Sequence, residues 1–171
     1  MENERPEPWL RGSLTEVPAV ARAVLHALEL AGEDVERWCG DLSQEELNAQ
    51  PANLPPVAFH LRHIAGSLDR LLTYAEGNSL SAEQIAAMKA ELHPTAAREA
   101  LFGEFRRALK ASGVRIRSFS PESFSQARKV GRQGMATTVA GLLVHVADHT
   151  QRHVGQAITT AKLVKSARSF R

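Results

Sequence analysis

Four stretches of this 171-residue chain repeat their apolar residues at intervals of three and four, and that spacing constrains the fold more than any other feature. Such a repeat lays one apolar stripe along a helix of about 3.6 residues per turn, and a helix of that kind must bury its stripe against others. The first stripe is Val17, Val20, Ala21, Val24, Leu25, Leu28 and Ala31, read as a helix running to about Cys39 with Gly40 at its end. In front of it, Ser13-Leu14-Thr15-Glu16 has the form of a capping box. The second stripe is Val57, Leu61, Ile64, Leu68, Leu71, Leu72 and Ala75, with Asn53 as N-cap, Pro55-Pro56 in the first turn and Gly77-Asn78 at the end. A third helix, about Ala96 to Ser112, buries Leu101, Phe102, Phe105, Ala108 and Leu109, with Thr95 as its N-cap after a break at His93-Pro94. The last starts at Thr137 or Thr138 and runs to about Lys165 on Val139, Leu142, Leu143, Val146, Val154, Ala157, Ala161 and Val164.

The connections are less regular. Ser43-Gln44-Glu45-Glu46 starts one short turn, and Ser81-Ala82-Glu83-Gln84 caps a short helix reaching about Glu91. Val114, Ile116 and Phe119 alternate as in a short strand, and Gln126 to Lys129 suit one helical turn. The fold expected is all-α: a single domain over residues 1–171, a four-helix bundle with an up-down framework and longer crossover connections.

Composition then excludes function classes. The one cysteine, Cys39, allows no intramolecular disulfide, fits a reducing compartment and excludes Cys-rich zinc modules. The acidic start MENERPEPW is no signal peptide. No uncharged stretch is longer than the 15 residues of Gln133 to Ala147, which falls short of the roughly 20 apolar residues that span a bilayer. A cytoplasmic protein with no membrane segment is expected.

The net charge of +2 hides a gradient. Residues 1–56 carry 11 acids and 4 bases, net −7, whereas residues 128–171 carry 1 acid and 8 bases, net +7. The simplest account is that the two ends pair, within the chain or across a homodimer. Residues 105–132 hold 8 bases and 1 acid, with a Gly131-Arg132-Gln133-Gly134 loop. Aromatic residues are too sparse there for base stacking, so nucleic acid is disfavoured as a partner.

Seven histidines carry the chemical interest: His26, His60, His63, His93, His145, His149 and His153. His145, His149 and His153 are four apart on the last helix, and residues four apart share a face. A helical wheel puts His153 inside the apolar face, His149 at its edge and His145 furthest from it. One helix cannot close a metal site, and the second helix offers His60 and His63; bundle metal sites are built from facing helices. Imidazole suits Zn, Ni, Fe and Cu. The intervening Thr150-Gln151-Arg152 rules out a zincin HExxH. Cys39, beside Trp38 at a helix end, reads as a small buried residue and not a nucleophile.

The string from Phe59 to Leu72, with its His63-Ile64-Ala65, and the string from Val144 to Gln156, with its His149-x-x-x-His153-x-Gly155-Gln156, resemble the DinB-like (DinB/YfiT) family over nearly the whole chain. The resemblance implies a four-helix bundle, often dimeric, that binds a divalent metal through three histidines, which here match His63, His149 and His153. On the wheel His60 lies nearer the stripe than His63, so His60 stands as the alternative ligand. Zn or Ni is the metal expected. The resemblance also implies three functions to weigh. The first is a metal-dependent thiol S-transferase joining a low-molecular-weight thiol to a small electrophile. The others are a metal-dependent hydrolase and a non-catalytic, stress-related interaction module. No general base stands beside the ligands in sequence except Asp148, which suits thiol transfer better than hydrolysis.

Overall fold

The computed structural model describes residues 5–91 and 97–168, so Thr95, His93-Pro94 and Ala96 of the sequence reading lie outside the described residues. Among the described residues six α-helices follow in order: α1 (Ala19–Cys39), α2 (Gln44–Asn48), α3 (Val57–Ala75), α4 (Ala82–Ala90), α5 (Arg98–Arg117) and α6 (Val139–Arg168). A two-stranded hairpin, β1 (Ala127–Val130) and β2 (Met135–Thr138), precedes α6. The protein is an all-α bundle of four long helices with two short helices in its crossovers.

Each long helix packs against two others, in the cyclic order α1, α6, α3, α5. Directions follow from which residues meet. Gln151 donates to the Ala27 carbonyl and Lys165 pairs with Asp41, so α1 and α6 run parallel. Arg62 pairs with Glu104, and Arg115 with both Asp69 and Glu76, so α3 and α5 are parallel too. Thr160 donates to the Pro55 carbonyl while His63 meets His149, so α3 and α6 are antiparallel. The topology is therefore up-down-down-up. Two parallel neighbours cannot be joined by a tight turn, and the chain returns along α3 through α4 before α5 begins.

Local chemistry accounts for most ends and corrects several. Ser43 with Glu46 and Ser81 with Gln84 form complete capping boxes, starting α2 and α4. The box expected at Ser13 does not form: α1 starts after Pro18, and Ser13 Oγ lies 3.2 Å from His26 Nε2 instead. Pro56, not Asn53, precedes α3; Asn53 has φ 61° in a turn. Thr138 accepts from the Gly141 amide at 3.1 Å and caps α6.

The segment read as strand-like is the last turn of α5, with Ile116 in the core and Val114 exposed. Gly113, a weak helix former, is buried within this helix. Gln126 to Lys129 makes no helical turn; most of it is β1, paired antiparallel with β2. The pairing is set by Gly131 and Gly134, at φ 70° and 62°, which turn the chain where a side chain would be strained. Arg128 ties the hairpin to the end of α3 by donating to the Ala75 carbonyl at 2.7 Å.

The opposed charges of the two ends meet within the chain. Lys165 and Arg168 of α6 pair with Asp41, and Arg168 also with Glu46. One apolar cluster, from Val17 to Val164, fills the space between the long helices.

Candidate metal centre

Two helix faces with unusual polarity make the site. On α3, His60, Ser67 and Arg70 are buried and His63 is half-buried, at spacings of three and four within an otherwise apolar helix. Facing them, α6 presents His149 and His153 one turn apart, both half-buried. Because the two helices are antiparallel, His60 meets His153 and His63 meets His149.

One nitrogen each from His63, His149 and His153 lies within 4.8 Å of the other two. His63 Nε2 and His149 Nε2 are 3.4 Å apart. The donor set fits a divalent ion: two nitrogens each about 2.0–2.1 Å from a tetrahedral ion are themselves about 3.3 Å apart. His60, the alternative in sequence, is not in this group. It is 2% exposed, its Nδ1 lies 3.1 Å from His153 Nδ1, and its Nε2 has no hydrogen-bond partner. His145 points to solvent and faces Asp148, and His26 sits apart on α1 beside Ser13.

The fold adds a carboxylate that sequence reasoning did not associate with the site. Glu91, at the end of α4, is 4% exposed. Its Oε2 lies 2.7 Å from His63 Nδ1 and its Oε1 accepts from Arg70 at 2.5 Å. Burial pushes the Glu91 carboxyl up, but the hydrogen bonds from His63 and Arg70 outweigh it and hold it below its usual range. Gly66 makes room for this pair: a Cβ there would collide with Glu91 Oε1 and lie 2.7 Å from Arg70 Nη1. The signal in the sequence was the polar file at 60, 63, 67 and 70, which an apolar stripe would not tolerate without partners.

The electrostatics favour neutral imidazoles. Burial foremost, then the neighbouring histidines, lowers His60 and His149 to about 4. Burial, His63 and Arg152 lower His153 to about 4. Neutral imidazole is the form that ligates a metal. Cys39 is wholly buried, and burial raises its thiol to about 12, which removes it as a nucleophile. Much of the basic segment is used internally: Arg115 holds Asp69 and Glu76, and Arg106 meets Glu36.

The class of protein that the fold defines is a four-helix bundle, here with three histidines from two facing helices close enough to hold one metal ion. The family model of the DinB superfamily matches residues 27–157, and the chain belongs to that superfamily. No curated protein matches it at a significant level. Among the described residues no helix is long and apolar enough to cross a membrane.

Proposed function

We propose that the protein is a cytoplasmic, single-domain, divalent-metal-dependent thiol S-transferase, with Zn or Ni held by His63, His149 and His153. The observation that carries the reading is a set of three converging imidazoles whose nearest carboxylate, Glu91, is already engaged by His63 and Arg70. When bound, the ion supplies positive charge and open positions beside which a thiol or a water gives up its proton more readily.

The chain's own residues argue for a thiol brought in from outside. Hydrolysis asks for a free base near the water, and Glu91 is tied on both oxygens. Cys39 cannot serve as the nucleophile from within the core. A cavity of about 280 Å³ beside the site is lined by His60, Arg152, Gly155, Gln156 and Thr160, among others. It is large enough for part of a small electrophile and presents hydrogen-bond donors to it. Hydrolysis is the second reading, and a homodimer belongs to the same proposal, tested by sedimentation over a range of concentrations.

The test is tag-free protein loaded with Zn or Ni and incubated with small electrophiles, with and without low-molecular-weight thiols. Conjugates formed only when both thiol and metal are present are the expected outcome. Turnover to a hydrolysed product without thiol would transfer the assignment to the hydrolase. No turnover of either kind by a metal-loaded protein would leave a binding module.

A further inference from the structure

The three histidines of the site share a feature beyond their mutual approach: each has its Nδ1 against a different side chain. His63 Nδ1 is 2.7 Å from Glu91 Oε2, His149 Nδ1 is 3.4 Å from Ser67 Oγ, and His153 Nδ1 is 3.1 Å from His60 Nδ1. We infer that Glu91, Ser67 and His60 are positioning residues that keep the proton of each neutral ligand on Nδ1 and turn its Nε2 toward the ion. The inference rests on the metal reading proposed above.

Proton bookkeeping fixes the donor at two of the three contacts. An ionised carboxylate only accepts, so Glu91 requires His63 to be the donor at Nδ1. Arg70, donating to the same carboxylate, keeps it in place and ionised. Ser67 has one hydroxyl proton, and it goes to the Ile64 carbonyl at 3.1 Å, so toward His149 the oxygen can only accept. Between His60 and His153 one nitrogen must donate and the other accept. If His153 donates, the neutral His60 carries its proton on Nε2, the one buried side-chain nitrogen or oxygen left without a partner among the described residues. That arrangement leaves a buried N–H unsatisfied, an outlay a bundle tolerates where a neighbouring function requires it. With all three Nδ1 atoms occupied, the free nitrogens are the Nε2 atoms, and two of these already approach to 3.4 Å.

The fold supplies the device through its crossover. α4 runs back along α3, as Gln84 bonding to Asp69 and Thr73 shows, and its end brings Glu91 level with His63. Ser67 and His60 are one turn along α3 on either side of His63.

The experiment has two readouts besides turnover. The first is the imidazole nitrogen-15 spectrum of metal-free protein at a pH where histidines are neutral. Nδ1–H tautomers at His63, His149 and His153 with Nε2–H at His60 are expected, and Nε2–H at the three cluster histidines would overturn the inference. The second is Zn affinity of Glu91→Gln and Ser67→Ala, each checked for wild-type helicity. Loss of such partners typically weakens metal binding by about 10–100-fold. Glu91→Gln should lie in that range, and Ser67→Ala, whose contact is longer, should lose less. Folded variants that bind Zn as tightly as wild type would overturn the positioning role and leave the metal site standing. Failure of wild type itself to bind Zn would overturn the metal reading and the inference with it, whatever tautomers are seen.

Discussion

His149 and His153 differ from free imidazoles in where they take up a proton. Both stay neutral down to about 4 in the fold, chiefly through burial, as does His60. An unfolded chain protonates them near about 6.5, so between those values the unfolded state holds more protons and stability falls as the solution is acidified. Below its ordinary value Glu91 adds to the loss, since its folded carboxyl resists protonation. Urea unfolding of metal-free protein should therefore show stability intact near neutrality and declining from about pH 6.5 toward about 4; a flat profile across that window would contradict the burial argument. Changing His63, His149 or His153 to Ala should each abolish stoichiometric metal in elemental analysis of tag-free protein. His145→Ala and His26→Ala should retain it, because those side chains lie outside the cluster.

At the scale of elements, α4 decides how the site is furnished. It carries no buried residue of its own between Ala82 and Ala90, so it is held by its capping box, by Gln84 bonding to Asp69 and Thr73, and by the Glu91 anchor. Removing the Ser81 cap by Ser81→Ala should cost about 1 kcal/mol locally, read as faster amide exchange through α4. Gly66→Ala tests the same contact from α3, because the atoms nearest the added methyl belong to the Glu91 and Arg70 side chains. Metal affinity should fall while helicity is kept; unchanged affinity would show that the Arg70–Glu91 pair can move aside without consequence. The hairpin before α6 is held by glycine turns and by Arg128 at the end of α3, away from the cluster.

For the whole molecule, the apolar stripes and not an ion account for the fold. Leu143 is fully buried between the helices. Leu143→Ala should destabilise by about 2–5 kcal/mol, the usual range for a core leucine. A chelator should leave far-ultraviolet dichroism unchanged, and collapse of the helical signal on chelation would show that metal binding and folding are one event. The charge gradient is spent inside the chain, where Lys165 and Arg168 meet Asp41 and Glu46.

Periodicity alone specified four long helices, two capped short ones and the pair His149/His153, because spacing and capping are local and a chain carries them wherever it goes. It misjudged residues whose conformation depends on distant partners. Val114 to Phe119 alternates like a strand, yet Gly113 and Ile116 are buried against the bundle and α5 continues to Arg117. On the wheel His60 lies nearer the stripe than His63, and only the resemblance to the family's motif favours His63. The antiparallel register of α3 on α6, which no local pattern carries, places His63 against His149 and His60 behind His153. Glu91 was out of reach of any local reading: it comes 28 residues after His63, and a crossover that doubles back along α3 is what makes them neighbours.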